Sequence, residues 1–377
     1  MAMETPSTTS NPSNPSNPST GASRIKIVAL EARFGPIPDF DTFKGEFDID
    51  TAIYDQTVRD DLEVLKERLR DAEIAIICTM PMTAATLAPE VTPNLRAISI
   101  SAAGTDHVDL EYCRKRGIRV LNSPRANTET VAEHAIALFF AARRAIVQTH
   151  IQTVHDQWPK KKTLVTSLRG KNDALPLGLK EETVGIVGYG GVGKHIAKLC
   201  TGLGMTVLIA DRKSSTTTET QGTAPTSNGS NAMTRCSFTQ ILQSCTVIFV
   251  AIPRLPSTMN MISASEFAMM SSRAVLVNVS RGGIVNESDL LVALRERQIA
   301  GAATDVFLVE PAWTENSVLV KALAEEETTV DGEKLPLVVT PHAAWYSEVT
   351  MGNLTKDAKR NVVGWLRGNP PPENVVV

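Results

Sequence analysis

The sequence predicts an α/β fold of two parallel-sheet domains, one inserted into the other. Three observations carry that expectation. Short apolar runs alternate with segments of helical period along most of the chain, the pattern of parallel strands joined by crossover helices. In mid-chain the apolar run Thr183–Val187 meets Gly188-Tyr189-Gly190-Gly191-Val192-Gly193, then a helix-like stretch over 194–200, then a second apolar run over 205–210 that ends at Asp211. A separate α/β piece precedes this unit, and a helical stretch over 347–367, suited to pack back on that piece, follows it. The expected division is an outer, split domain over 24–125 and 344–377 and an inserted domain over 126–343.

Residues 24–30 read as a first strand, 61–70 as a helix and 72–78 as another strand. A third strand over 95–99 leads into the turn Ala102-Ala103-Gly104-Thr105-Asp106. Leu110–Arg116 is a short helix and 118–122 a strand. A long helical pattern covers 128–146, with Thr128 as N-cap and Glu129 in the first turn. Its surface is rich in Ala, Leu and Phe, too apolar to lie free in water, so a domain-spanning or dimer-interface helix is expected. Residues 160–178 are polar and irregular, a surface loop. Beyond the glycine unit, 246–252, 274–279, 301–306 and 337–340 read as buried strands, with a helix over 290–298 between strands.

A length of 377 residues suits about two domains, and a hydrophobic content of 42% suffices for sizeable cores. The formal charge of −3 shows no basic excess, which argues against nonspecific nucleic-acid binding. No apolar run approaches a membrane span. Cys78, Cys113, Cys200, Cys236 and Cys245 are scattered without metal-ligand spacing, so reduced, mostly buried thiols and no metal are expected. Residues 1–23 are rich in Ser, Thr, Asn and Pro and cannot bury a core, so a disordered tail is expected. The tail has no secretory apolar region, and Glu4 with no arginine before Arg24 argues against a mitochondrial transit peptide. The cytoplasm is the default location. The Ser/Thr/Gly-rich stretch 214–230 reads as a disordered insertion.

The glycine unit has a physical meaning. Backbone N–H groups at a helix start hold a pyrophosphate when no Cβ blocks close approach. Gly188 suits the tight turn, Gly190 the approach of backbone to phosphate, and Gly193 the close packing of helix on strand; Tyr189, Gly191 and Val192 complete the loop. Asp211 lies about 20 residues further on, where an acid accepts from both ribose hydroxyls of a dinucleotide. A 2′-phosphate would be repelled there, so NAD is favoured over NADP. The adjacent Arg212 and Lys213 weaken that preference, because both are able to pair with a phosphate.

A nicotinamide cofactor does the hydride chemistry, so the protein has to hold an acceptor and manage one proton. Three residues stand at strand ends after the glycine loop. Arg281 follows Asn278-Val279-Ser280 and precedes Gly282-Gly283, Glu310 lies just before Pro311 in the segment that begins at Asp305, and His342 lies in Thr340-Pro341-His342-Ala343-Ala344-Trp345. Ligands of open α/β sheets bind outside the carboxyl ends of strands. The remaining histidines, His107, His134, His150, His155 and His195, have no such setting and read as structural or exposed.

These segments occur in one order: Ala103-Gly104-Thr105-Asp106-His107-Val108-Asp109, the glycine loop with Asp211, 278–285, 305–311 and 340–342. On them the chain, from about Arg24 to its end, resembles the D-2-hydroxyacid dehydrogenase family. That family includes D-glycerate, D-lactate and phosphoglycerate dehydrogenases and glyoxylate/hydroxypyruvate reductases. The resemblance implies two Rossmann-like or flavodoxin-like domains, a homodimer, NAD as cofactor with NADP as the alternative, and a small 2-oxo or 2-hydroxy acid as substrate. It implies that Arg281 binds the substrate carboxylate and polarises the C2 carbonyl with its fork of donors. His342 would donate a proton to the carbonyl oxygen during reduction and take it back during oxidation. Glu310 would pair with His342, orient the ring and keep imidazolium available. Backbone N–H groups of Ala103 and Gly104 would help hold the carboxylate, and Asp305 would hydrogen-bond the nicotinamide carboxamide. Pro253, Thr258, Val279 and Ser280 would line the cofactor cleft.

Some positions depart from the family pattern. Ala251 stands where many members have a histidine two residues before Pro253, and Gly191 where arginine is common. Glu310 argues against formate dehydrogenase, whose corresponding residue is glutamine. Met80-Pro81-Met82 and Trp345 are candidate walls for the substrate side chain, with ordinary packing as the alternative for the methionines. Thr340 to Glu348 also resembles the same stretch of C-terminal-binding-protein corepressors, which keep the fold and NAD binding but act through partners.

Overall fold

The computed structural model describes residues 24–213 and 234–377 apart from Lys44 and Asp60. The expected tail over 1–23 and insertion over 214–230 lie outside the described residues. The chain divides into two units, one formed by the described part of Met1–Ala126 with Glu348–Val377, the other by Asn127–Ser347.

In the first unit, β1 (Ile25–Ala29), β2 (Ile49–Ile53), β3 (Ile74–Ile77), β4 (Ala97–Ile100) and β5 (Arg119–Leu121) form a sheet of order β2-β1-β3-β4-β5. All four pairings are parallel. Side chains alternate across the sheet. Ile27, Ala29, Ile74 and Ile76 face Val362, Val363 and Leu366 of the C-terminal helix Glu348–Leu366. Val28, Leu30, Ala75 and Ile77 face the opposite way, toward Leu65 and Leu69 of α1 (Leu62–Leu69) and Cys113 of α2 (Leu110–Arg116).

Local chemistry sets the helix ends. Asp61 caps α1 by accepting from the N–H groups of Glu63 and Val64, and Asp109 caps α2 by accepting from Tyr112 N–H. Gly117, at φ +71°, ends α2 in the left-handed region that glycine enters without strain. β2 is a strand the sequence reading lacked. Its Asp50 and Thr51 interrupt the apolar pattern, as an edge strand paired on one side only allows. Two buried polar groups tie loops down. Asn361 donates to the Asn122 carbonyl at 3.1 Å and accepts from the Asn374 amide at 2.9 Å. Glu31 Oε2 accepts from the N–H groups of Cys78, Thr79 and Met80, each at 2.8 Å, and so fixes the turn after β3.

The second unit opens with α3 (Thr128–Arg143), α4 (Ile146–Val154) and α5 (Gln157–Lys161). It continues through β6 (Thr183–Val187), α6 (Gly191–Gly202), β7 (Thr206–Ala210), β8 (Thr234–Cys236), α7 (Phe238–Ser244), β9 (Val247–Val250) and α8 (Ala264–Met269). It closes with β10 (Val275–Asn278), α9 (Glu287–Arg295), β11 (Gly301–Thr304), α10 (Val318–Ala324) and β12 (Leu337–Val339). The parallel sheet runs β12-β11-β10-β9-β6-β7-β8, so strand order reverses between β6 and β9. Ligands of such sheets bind outside the carboxyl ends of the strands at that reversal. α3 and α6 cover one face, over Val184, Ile186, Val247, Phe249, Val275 and Val277. Residues of α7, α8, α9 and α10 cover the other face, over Ile248, Val250, Leu276 and Ala302.

Several expectations for this unit are corrected. α3 ends at Arg143, not at residue 146, because Ala145 turns left-handed at φ +47° and a new helix starts at Ile146. Asn127, not Thr128, occupies the N-cap position, and no side chain bonds the cap. The apolar face of α3 packs within its own unit, through Val131, Ala132, Ala135, Leu138, Phe139 and Ala142. Exposed apolar side chains lie instead on α4 and α5, at Ile146, Ile151, Val154 and Trp158. Residues 160–178 contain short 3-10 turns at Val165–Leu168 and Lys171–Asp173. Arg143, buried at the end of α3, pairs with buried Glu182: Nη2 donates to Oε2 at 2.8 Å, and Nε lies 2.7 Å from Oε1. The five cysteines are free, four of them buried. Burial pushes the Cys78, Cys200 and Cys245 thiols up to about 12, which leaves them inert at neutral pH. No helix among the described residues is long and apolar enough to cross a membrane.

Candidate active site

The glycine loop starts where β6 ends, at the strand reversal. Gly188 has φ +101°, and a Cβ there would lie 2.3 Å from the Ala251 carbonyl oxygen after β9. A Cβ on Gly193 would lie 1.9 Å from the Gly188 carbonyl oxygen, so only glycine lets α6 seat on the loop. At Gly190, the N-cap of α6, nothing lies within 4 Å of the Cβ position and no side chain caps the helix. An uncapped helix start facing open space is a site for an anion. Gly191 has a local reason of its own: a Cβ there would press on Thr128 Oγ1 at 3.2 Å. Tyr189 and Val192 are half-buried beside the second-unit core.

Asp211 directly follows β7, its N–H donating to the Cys236 carbonyl at 2.9 Å. Its carboxylate is exposed and lies 3.4 Å from Arg235 Nη1. Arg212 is exposed beside it. Lys213 is corrected as a phosphate partner. Its Nζ donates to Glu266 Oε1 at 2.9 Å and to the Met261 carbonyl at 3.1 Å, which turns it away to the α8 side. The turn after β9 is shaped by Thr258, whose hydroxyl accepts from Leu255 N–H at 2.8 Å and donates to the Pro253 carbonyl at 2.9 Å. Val279 and Ser280 are buried at the end of β10.

Arg281 leaves β10 through a turn that Asn278 organises. Asn278 Oδ1 accepts from Ser280 N–H and Oγ at 3.1 and 2.7 Å, and its amide donates to the Arg281 carbonyl at 3.2 Å. The next residue, Gly282, passes so close to the β11 loop that a Cβ would lie 1.7 Å from the Phe307 carbonyl oxygen. That contact ties the Arg281 turn to the segment carrying Glu310. Glu310 Oε1 accepts from Phe307 N–H at 2.8 Å, and Oε2 lies 2.6 Å from His342 Nδ1. Burial alone would raise the Glu310 carboxyl. The His342 hydrogen bond and charge, Phe307 N–H and the Arg281 charge together outweigh it and hold the carboxyl below its usual range.

His342 sits at φ +53°, a conformation that costs a non-glycine residue and persists only when its surroundings enforce it. Asp305 enforces it. His342 N–H donates to the Asp305 carbonyl at 2.8 Å. The buried Asp305 carboxylate accepts from Thr340 Oγ1 at 2.6 Å and from Ala343 and Ala344 N–H at 2.9 Å each. Three of its roughly four acceptor positions are thus occupied by the His342 loop. His134, on α3, joins the same network: Nε2 lies 3.1 Å from Thr340 Oγ1 and 3.7 Å from Asp305 Oδ1. The sequence reads His134 as structural or exposed; its partner Thr340, 206 positions away, gives no local signal there.

With Nδ1 on a carboxylate, the His342 Nε2 edge is left to exchange a proton. Glu310, His342, Asp305 and the Arg281 turn therefore converge in the second unit. Trp345 follows them, edge-on to the exposed Tyr346 ring at 5.4 Å between centroids. Ala103 and Gly104 lie in the first unit, in the turn after β4, where Asn122 donates to the Ala103 carbonyl at 2.7 Å. Met80 is corrected. It and Met82 have no exposed surface and pack into the first-unit core, so Met80 offers no wall to a substrate.

Residues 136–344 match the family model of the D-isomer specific 2-hydroxyacid dehydrogenase NAD-binding domain. The glycerate dehydrogenase of Methylorubrum extorquens is 36% identical over 314 residues, which cover 83% of this chain and 88% of that protein. The D-3-phosphoglycerate dehydrogenase of Archaeoglobus fulgidus is 33% identical over 282 residues, 74% of this chain but 47% of that longer protein. Among solved structures, the NADPH-dependent glyoxylate/hydroxypyruvate reductase of Sinorhizobium meliloti, in complex with NADP and malonate, shares the fold. Its TM-score is 0.69 at 24% identity, covering 94% of this chain and 97% of that one.

Proposed function

Because the chain belongs to the D-isomer specific 2-hydroxyacid dehydrogenase family, whose named relatives are dehydrogenases and reductases acting on the CH–OH group of 2-hydroxy acids, we propose that it reduces a small 2-oxo acid of the glyoxylate or hydroxypyruvate type to the corresponding 2-hydroxy acid. The observation that carries this reading is the Glu310–His342 contact of 2.6 Å on a loop anchored by Asp305. Bound NADH supplies the hydride. The open helix start at Gly190 fits its pyrophosphate, and the exposed Asp211 fits the ribose hydroxyls.

The chain's own groups manage the rest. Arg281 holds the substrate carboxylate with its N–H donors and polarises the C2 carbonyl. His342 holds a proton at Nε2 and passes it to the carbonyl oxygen as the alkoxide forms. Glu310, ionised throughout the neutral range, fixes the ring through Nδ1–H and balances the imidazolium charge. In the reverse direction His342 takes the hydroxyl proton. Asp305 holds the loop.

The test is NADH oxidation by purified protein over a panel of 2-oxo acids. Turnover of glyoxylate or hydroxypyruvate supports the reading. Tight NADH binding with no turnover of any acid would favour an NAD(H)-sensing binding protein instead. We further propose a homodimer through the exposed Ile146, Ile151, Val154 and Trp158 of α4 and α5. Light scattering should give twice the chain mass, and Ile151→Asp should shift it toward the monomer; a monomeric wild type rejects the interface.

A further inference from the structure

The adenosine end of the dinucleotide site holds an arrangement that an NAD-selecting acid alone does not explain. Arg235 lies on β8, the strand paired in parallel beside β7. Its Nη1 stands 3.4 Å from Asp211 Oδ1, and both side chains are more than half exposed. The same guanidinium lies 6.0 Å from the centroid of the Tyr189 ring in the glycine loop, and Lys194 Nζ lies 5.8 Å from that centroid. Arg212 is exposed next to Asp211. Lys213, the other basic residue in sequence, is held by Glu266 and the Met261 carbonyl.

An acid at the end of β7 excludes a 2′-phosphate by charge repulsion. Here that charge is already matched by Arg235, Lys194 adds positive charge beside the Tyr189 ring, and Arg212 is exposed next in sequence. The exposed contact is weak and engages one Arg235 nitrogen, so the guanidinium keeps other N–H donors for a phosphate. A guanidinium also meets a phosphate with two parallel donors, which an ammonium cannot do. Tyr189 gives the guanidinium an aromatic face near the loop.

We propose that Arg235 is the specificity-determining residue that admits a 2′-phosphate, so that this site takes NADPH as well as NADH. The proposal rests on Asp211 being the ribose-binding acid. With NADH, Asp211 accepts from the ribose hydroxyls and Arg235 stays beside it. With NADPH, Arg235 donates to the phosphate while it stays beside Asp211, so the carboxylate charge remains matched.

The probes are 2′-AMP and 5′-AMP, titrated calorimetrically into the full-length protein. Wild type is expected to bind 2′-AMP measurably. Arg235→Gln should weaken 2′-AMP relative to 5′-AMP by about tenfold, as expected for one phosphate-binding arginine. The NADPH-to-NADH ratio of kcat/KM should fall by a similar factor. Arg235→Lys should recover part of both, and Asp211→Asn should raise the NADPH ratio. Equal losses for the two mononucleotides, an unchanged ratio in Arg235→Gln, or no 2′-AMP binding by wild type would overturn the proposal. The mononucleotide titration needs no turnover. A protein that discriminates as expected yet reduces no 2-oxo acid therefore rejects the catalytic reading and supports this one.

Discussion

Glu310→Gln isolates the charge of the acid–base pair from its shape. In the wild type, Oε2 lies 2.6 Å from His342 Nδ1 while Oε1 accepts from Phe307 N–H. A charge-assisted hydrogen bond contributes about 1.5–3 kcal/mol and a neutral one about 0.5–1.5 kcal/mol. Exchanging one for the other costs about 1–1.5 kcal/mol at the moment the ring is charged, which is roughly a tenfold loss in kcat. The amide has one acceptor oxygen for two donors, so either the His342 bond or the Phe307 bond is lost as well, and tenfold is the lower end. Glu310→Ala, which removes every acceptor, should cost about a hundredfold. His342→Ala should cost about 10²- to 10⁴-fold. Because Glu310 acts through His342, adding Glu310→Gln to His342→Ala should change kcat little further. The assay is steady-state NADH oxidation with the best acid of the panel, followed by absorbance, with KM for the acid measured alongside. A wild-type kcat in Glu310→Gln, or losses that multiply fully in the double variant, would refute the pairing argument.

Gly193→Ala places a Cβ 1.9 Å from the Gly188 carbonyl oxygen, so NADH binding, read by quenching of intrinsic fluorescence, should be lost or the melting temperature should fall; a variant with both unchanged contradicts the close packing. Asp305→Asn keeps the size of the anchor but gives one oxygen to the three donors Thr340, Ala343 and Ala344. It should lower kcat by more than tenfold with NADH affinity changed less, and the reverse split would assign Asp305 to the cofactor alone. Arg143→Met leaves the buried Glu182 carboxylate without its cation, which should cost about 3–5 kcal/mol in urea unfolding; a loss under about 1 kcal/mol would contradict the burial of that pair. Glu266 gives a pH test. Burial raises its carboxyl, but the Lys213 ammonium and the Ser263 and Ser265 groups pull it below its ordinary 4.5. Its contribution is therefore present above 4.5 and is lost as pH falls through the lower folded value. The stability gap between wild type and Glu266→Gln should be full at neutral pH and close in acid; a gap independent of pH would refute the linkage.

Strands buried on both faces were the most legible elements. Val247–Val250 and Val275–Asn278 are near-continuous apolar runs, because a strand covered by helices on both faces has no polar side. β2 and β8 escaped notice for the opposite reason. Both are edge strands with polar residues, Asp50 and Thr51 in one, Thr234 and Arg235 in the other. The helix α8, of 6 residues, is too short to show a helical period. The break at Ala145 follows from the tertiary contacts of Arg143, whose guanidinium also donates to the carbonyls of Arg273 and Thr246. Neither partner is visible in the local sequence.

At the site, glycines were readable and anchors were not. Gly188 and Gly193 mark places where backbone meets backbone, and no other residue type fits, so the pattern itself carries the constraint. A carboxylate that binds a ligand and one that holds a loop are the same residue type, and only the positions of N–H groups separate them. Asp305 and Glu31 show this. Asp305 bonds the backbone of Ala343 and Ala344 and Glu31 that of Cys78, Thr79 and Met80, each group far from its carboxylate in sequence. Met80 fails as a substrate wall for a related reason. The Glu31 carboxylate fixes the backbone at Met80 by its N–H, while the side chain fills the core. A residue next to a strand end has two directions to face, and burial rather than sequence position decides between them. The same logic separates Lys213 from Arg235. Lys213 is two residues from Asp211 in sequence but held by Glu266, whereas Arg235 is 24 residues away and reaches the carboxylate because β8 lies beside β7. The charges that surround Asp211 therefore have to be read across strands, not along one.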